Sequence, residues 1–167
     1  TSNLESSFNF FNLNSYVLLA HFSNILKLSI NKTVAITNIK IISLIKHNFI
    51  IPIMNHLTLL ITGGCGFIGS HLVEKLTPLY KKVIVVDNLI SGHKSNIEPF
   101  LQKYKNLKFI YCDLCDMENL RKIFRDYTIN QVCHQAALGS VPRSIVDPFS
   151  SHNNNVNGFL NILVCCK

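Results

Sequence analysis

The stretch that most restricts the fold is Thr62-Gly63-Gly64-Cys65-Gly66-Phe67-Ile68-Gly69, which follows the apolar run Leu57-Thr58-Leu59-Leu60-Ile61. An apolar run of strand length, a glycine-rich turn and then a helical pattern is the layout of a dinucleotide-binding βαβ unit. In that layout Gly63 permits the tight turn, Gly66 lets the backbone approach a pyrophosphate, and Gly69 lets the new helix pack closely. The free N–H groups at the helix start, with their partial positive charge, favour an anionic diphosphate. A bound nucleotide cofactor is therefore expected.

Downstream, Lys82-Val83-Ile84-Val85-Val86-Asp87 is a short β-branched run ending in an acid. Asp87 lies 18 residues after Gly69, about where such folds place the carboxylate that hydrogen-bonds an adenosine ribose. A carboxylate there repels a 2′-phosphate, and no Arg follows it, so NAD rather than NADP is expected.

At 167 residues the chain is long enough for one domain with a core. A hydrophobic fraction of 48% and a charged fraction of 15% argue against a disordered chain. The net charge of +7 is spread along the sequence without a long basic run or an aromatic–basic module. Nucleic acid is therefore not an expected partner. Cys112-Asp-Leu-Cys115 followed by Cys133-His134 has a loose likeness to zinc-ligand spacing, but there is no second matching Cys-x-x-Cys pair, so no metal site is expected. Cys112 and Cys133 fall in or beside strands, where a thiol acts as a small apolar side chain. A reduced, cytosolic chain is expected from this cysteine usage.

Residues 1–53 read differently from the rest. Asn, Ile, Ser, Leu, Phe and Lys fill 41 of the 53 positions, there is no Gly, Asp or Cys, and the first Met is Met54. The division expected is an extension over 1–53, translated upstream sequence or a targeting segment, and a cofactor-binding domain over 54–167. Tyr16-Val17-Leu18-Leu19-Ala20 is too short for a signal core, and Lys40 and Lys46 interrupt the later apolar stretch, so no membrane association is expected.

From Met54 onward strand and helix patterns alternate. Strands are expected over about 57–62, 82–87, 107–111 and 130–136, and helices from Phe67 to about Pro78, around 95–103, and from Asp116. The first helix should bury Ile68, Leu72, Val73 and Leu76; the helix capped by Asp116 should bury Leu120, Ile123, Phe124 and Tyr127. Asp147-Pro148 opens a further helix, with Val156, Phe159, Leu160, Leu163 and Val164 as its apolar stripe. The fold class is α/β: a Rossmann-like doubly wound parallel sheet, truncated, with a poorly defined N-terminal extension.

His134-Gln135-Ala136-Ala137-Leu138-Gly139-Ser140-Val141-Pro142-Arg143-Ser144-Ile145 resembles the segment after the fourth strand in extended short-chain dehydrogenases/reductases, the NAD-dependent epimerase/dehydratase family. Within them it is most similar to the UDP-N-acetylglucosamine 4-epimerases. Asp87-Asn88, Ser91-Gly92-His93 and Asn155-Val156-x-Gly158-Phe159-Leu160-Asn161 follow the same pattern in order. The resemblance covers residues 57–166.

It implies a set of site residues. Gly63, Gly66, Phe67, Ile68 and Gly69 form the pyrophosphate loop, Asp87 and Asn88 hold the adenosine ribose, and Ser91 and Gly92 lie near the same end. Asp113 and Leu114 contact adenine. Ala136 and Ala137 give a small surface under the nicotinamide-side ribose and phosphate, and Asn154 contacts the cofactor. Gly139, Ser140 and Arg143 border a UDP-sugar. The implied activity is 4-epimerisation of a nucleotide sugar through a 4-keto intermediate, by a homodimer at full length, with dehydration or decarboxylation of a nucleotide sugar as the alternative within the superfamily and a non-catalytic NAD-binding module as the alternative outside it. In this family a Tyr-x-x-x-Lys pair moves the proton, the Lys lowering the phenol pKa. Here the one such spacing, Tyr104-Lys-Asn-Leu-Lys108, precedes a strand on the adenine side. No catalytic residue is assigned, and this polypeptide alone is expected to be inactive.

Overall fold

The computed structural model of the chain describes residues 54–167 and the two-residue strand Tyr16–Val17; the other expectations for residues 1–53 lie outside the described residues. The strands are β1 (Tyr16–Val17), β2 (Thr58–Thr62), β3 (Lys82–Asp87), β4 (Leu107–Tyr111) and β5 (Gln131–His134). They form one sheet in the order β1-β5-β2-β3-β4. Every pair is parallel, with Leu60 opposite both Ile84 and Val132. The helices are α1 (Phe67–Leu76), α2 (Glu98–Lys103), α3 (Met117–Asp126), α4 (Val141–Val146), α5 (Pro148–His152) and α6 (Gly158–Cys166).

Alternate side chains leave a strand on opposite faces, and both faces of this sheet are covered. Leu59, Ile61, Val83 and Val85 pack with Val73 of α1, and with Phe100 and Leu101 of α2, on one face. Leu60, Ile84, Val86 and Val132 pack with Leu120 and Ile123 of α3 and Ile162 of α6 on the other. Coverage on both sides is why these strands read as continuous apolar runs rather than alternating ones. Because β2 connects outward to β3 while β5 lies on its other side, the chain diverges between β2 and β5, and a crevice opens at the carboxyl ends of those strands.

Several expectations need correction. Helix α1 stops at Leu76, and Thr77–Leu79 form a 3₁₀ turn, since Pro78 has no N–H to continue the α ladder. Ile68 is 60% exposed rather than part of the buried face, which is built from Gly69, Ser70 and Val73. The helix expected around 95–103 divides into a 3₁₀ turn at Lys94–Asn96 and α2. The strand expected over 130–136 ends at His134. In α3 only Leu120 and Ile123 are fully covered; Phe124 and Tyr127 pack half-buried on the same cluster.

A short helix, α4, stands where no helix was expected, with Ser140 Oγ accepting from the Arg143 N–H at 3.3 Å. Asp147 caps α5 as expected, accepting from the Ser150 N–H at 3.0 Å. Helix α5 continues through a wide π turn, Asn153–Asn157, into α6. The wider turn shifts the helical register, so the stripe counted from Val156 does not face the core. Gly158 and Ile162 are buried instead, whereas Val156, Leu160, Leu163 and Val164 are exposed.

Candidate functional site

The glycine-rich loop can be taken apart residue by residue. Gly63 has φ +65°, and a Cβ there would lie 2.5 Å from the Ala136 nitrogen. A Cβ on Gly69 would lie 2.0 Å from the Gly63 carbonyl oxygen and 2.7 Å from the Gly64 Cα. The fold itself therefore demands glycine at both positions, and Gly69 serves contact of α1 with the loop rather than with the strand. Gly66 is different. Its φ of −76° suits any residue, and a Cβ would meet only the Gly63 oxygen at 3.4 Å. Gly66 faces the crevice, so a side chain there would fill space that the fold leaves free.

Gly66 is also the N-cap of α1, and no side chain caps that helix. The first N–H groups of a helix have no intrahelical partner, so those of Phe67, Ile68 and Gly69 form an electropositive rim suited to an anion.

The crevice measures about 480 Å³. It is lined by every residue expected from the sequence: Gly63, Gly66, Phe67, Ile68, Gly69, Asp87, Asn88, Ser91, Gly92, Asp113, Leu114, Ala136, Ala137, Gly139, Ser140, Arg143 and Asn154. Val86, Cys112, Gln135 and Leu138 line it as well. These four went unmarked because each is a strand-end or loop neighbour of a marked residue and carries no signal of its own. The second concavity, about 400 Å³ between β4 and α3, holds Lys108, Lys122 and Tyr127 and shares only Cys112 with the crevice.

Asp87 is buried at the end of β3, where one carboxylate oxygen accepts from the Cys65 N–H at 2.9 Å and the other from the Leu89 N–H at 2.8 Å. Each oxygen still has a lone pair for a hydroxyl. The turn that follows puts Leu89 at φ +59°, uncommon for a residue with a Cβ, and Leu89 packs against the first core cluster. Asn88 donates to Asp113 Oδ2 at 3.1 Å, while Asp113 Oδ1 accepts from the Cys115 N–H at 2.8 Å. The ends of β3 and β4 are thereby tied together.

On the other wall, the Thr62 hydroxyl accepts from the Gln135 and Ala136 N–H groups at 3.2 and 3.4 Å and lies 2.7 Å from His134 Nδ1. The contact to Nδ1 is made by donation from the hydroxyl when the ring carries its proton on Nε2, and by donation from the ring when it carries it on Nδ1. Burial holds His134 below the ordinary imidazole pKa, in keeping with a neutral ring. The loop after β5 is clamped by Asn155, whose side chain accepts from the Leu138 N–H at 2.7 Å and donates to the Leu138 carbonyl at 3.1 Å. Asn161 donates to the Leu114 carbonyl at 2.8 Å, and Asn96 to the Cys65 carbonyl at 2.9 Å. Asn154 donates to the Ser150 carbonyl at 2.9 Å. A single sequence marks Asn96, Asn155 and Asn161 only as polar residues, because the carbonyls they meet are 17 to 47 residues away.

None of the six cysteines forms a disulfide. Burial, with Asp87 nearby, pushes the Cys65 thiol up to about 12, so a neutral group lies beneath the anion rim. Burial and the neighbouring carboxylates of Asp116 and Asp113 push Cys112 to about 11. Among the described residues no group of three or more His, Cys, Asp or Glu side chains is placed to hold a metal ion. No helix among them is long and apolar enough to cross a membrane.

Tyr104 and Lys108 do not form a pair. Tyr104 packs on the first core cluster, while the Lys108 amine bonds the Tyr127 hydroxyl beside the second concavity.

A parallel sheet wound on both faces, a glycine turn into an uncapped helix and an acid at the next strand end define a dinucleotide-binding domain of Rossmann type. A family model described as GDP-mannose 4,6 dehydratase matches residues 60–167. The bifunctional protein GAL10 of Kluyveromyces lactis is 43% identical over 109 residues, which is 65% of this chain and 16% of that protein. Among solved structures, the UDP-glucose 4-epimerase of Thermus thermophilus in complex with NAD is 40% identical with a TM-score of 0.58, over 66% of this chain and 33% of the other. The UDP-Glc/GlcNAc 4-epimerase of Campylobacter jejuni gives 30% and 0.62, over 66% and 33%. The chain belongs to the NAD-dependent epimerase/dehydratase family of extended short-chain dehydrogenases/reductases, and it spans a third or less of the length of these relatives.

Proposed function

We propose that residues 54–167 are the cofactor-binding domain of a nucleotide-sugar 4-epimerase with NAD as its cofactor, and that residues 1–53 are an extension to it, from which β1 adds to the edge of its sheet. The observation that carries this reading is Gly66: it lines the crevice at the start of the uncapped helix, and a Cβ there would meet only the Gly63 oxygen, at 3.4 Å. A diphosphate needs that space.

In this reading Gly63, Gly66, Phe67, Ile68 and Gly69 bind the diphosphate, and Asp87 and Asn88 take the adenosine ribose hydroxyls beside Ser91 and Gly92. Asp113 and Leu114 hold adenine. Ala136 and Ala137 keep the nicotinamide-side wall low, and Asn154 offers its amide oxygen to the cofactor. Gly139, Ser140 and Arg143 border the UDP-sugar, with the guanidinium suited to a phosphate. Asp87 disfavours a 2′-phosphate, hence NAD rather than NADP. Bound NAD supplies a hydride acceptor for oxidation at C4 of the sugar. What the residues here contribute is binding, orientation and a neutral thiol and imidazole that compete for no charge.

UDP-GlcNAc/UDP-GalNAc and UDP-Glc/UDP-Gal are both admitted as substrates of the full-length protein. The block Ala136–Ile145 favours the acetylated pair. A dehydratase is the second reading, favoured by the description of the family model that matches residues 60–167. In this reading the 167-residue polypeptide is inactive by itself, since among the described residues lining the cleft there is no Tyr–Lys pair to move a proton.

Calorimetric titration of the 167-residue chain with NAD and NADP, alongside an epimerase assay with UDP-glucose and UDP-GlcNAc, tests this. NAD binding at least tenfold tighter than NADP, without turnover, is the expected result. Equal binding of both dinucleotides, or turnover by this chain, contradicts it.

A further inference from the structure

The Cys65 peptide is held at both ends. Its N–H donates to Asp87 at 2.9 Å, and its carbonyl accepts from the His93 N–H at 3.1 Å and from Asn96 Nδ2 at 2.9 Å. Gly92 presses on the same unit: a Cβ there would lie 2.8 Å from the Cys65 carbonyl carbon and 3.0 Å from the Gly66 nitrogen. The next peptides carry the unpaired N–H groups at the start of α1, so the orientation of Cys65–Gly66 decides where those groups point. Asn96 contributes to this from outside. It is exposed and absent from the residues lining the crevice. Its turn has its own backbone bond, from the Asn96 N–H to the His93 carbonyl at 2.9 Å, so the side chain is not needed to close the turn.

We propose that Asn96 is a positioning residue, whose amide clamps the Cys65 carbonyl and so couples the ribose-side loop 88–92 to the diphosphate loop. The proposal rests on the reading of the crevice as a dinucleotide site. Removing one modest hydrogen bond from an exposed residue should leave the core intact while loosening the loop.

The test uses the 167-residue chain with Asn96→Ala and Asn96→Asp, the second keeping the size but offering no donor when ionised. Hydrogen exchange over residues 63–69 is followed in the ligand-free protein, and calorimetry compares ADP-ribose with adenosine. Both variants should exchange about fivefold faster at the hydrogen-bonded amides of this stretch, Gly63, Cys65 and Gly66, and bind ADP-ribose about five- to tenfold more weakly, with adenosine affinity within about twofold of the parent. Equal loss for both ligands, or unchanged exchange at 63–69, overturns the clamp. Should the parent bind neither ligand, the cofactor reading falls, and the exchange rates alone decide the clamp.

Discussion

Leu60, Ile61 and Val73, beneath the glycine loop, are completely buried, whereas Val146 and Phe149 on the opposite side of the crevice are 86% and 87% exposed. The first wall, β2 through β3, is closed on itself: two covered sheet faces, a loop in which Gly63 and Gly69 meet backbone, and an aspartate satisfied by two N–H groups. The second wall, α4 through α6, has its polar contacts in place through Ser140, Asp147 and Asn155, yet Val141, Ile145, Leu160 and Leu163 remain exposed beside it. Backbone hydrogen bonds and caps can fix a helix locally, but only apolar partners hide its stripe. The geometry of the glycine-loop wall is thus fixed within residues 54–167, and that of the wall built by α4 through α6 is fixed only in its polar half.

Substitutions can break this contrast. The largest expected effect is at Gly69→Ala: a methyl placed 2.0 Å from the Gly63 oxygen forces loop and helix apart, costing about 3 kcal/mol or more by denaturant melt. Asp87→Ala follows, since the Cys65 and Leu89 N–H groups lose their acceptor; a loss of about 2 kcal/mol is expected, together with dinucleotide binding.

Gly66→Ala should separate fold from site. Melting should shift by less than about 1 kcal/mol while NAD affinity falls at least tenfold; a collapse of the fold would show that Gly66 serves packing instead. Smallest is Phe149→Ser on the second wall, with a stability change within about 0.5 kcal/mol and less self-association by light scattering. A loss above about 2 kcal/mol would mean that this face is already covered.

Acid adds a separate probe. His134 is neutral in the fold and has its pKa held below the ordinary 6.5 by burial. Below that value the unfolded chain binds the proton first, so stability falls as pH drops through about 6.5 and levels off once the folded form is also protonated. His134→Gln should flatten that part of the pH–stability curve.

Much of the first wall was legible in the sequence because its signals are local. Gly63, Gly66 and Gly69 sit in one turn, and Asp87 closes a β-branched run. The residues expected to share a site do share one crevice, since strand ends of a parallel sheet converge whatever fills their middles. The second wall was legible only in part. A π turn at Asn153–Asn157 changed which side of α6 is buried, and no hydropathy count from Val156 could register the extra residue. Helix α4 escaped because six residues show too little periodicity, although Ser140 followed by Pro142 was a usable start signal. The asparagine clamps at Asn96, Asn155 and Asn161 depend on tertiary partners and carry no local pattern.

The most direct test of the account is an amide NMR titration of the ¹⁵N-labelled chain with NAD. Shifts concentrated at Gly66–Gly69, Asp87–Gly92, Asp113–Leu114 and Ala136–Ala137 are expected, with Lys108 and Tyr127 unmoved. No saturable shifts, or shifts centred on the groove between β4 and α3, would contradict it.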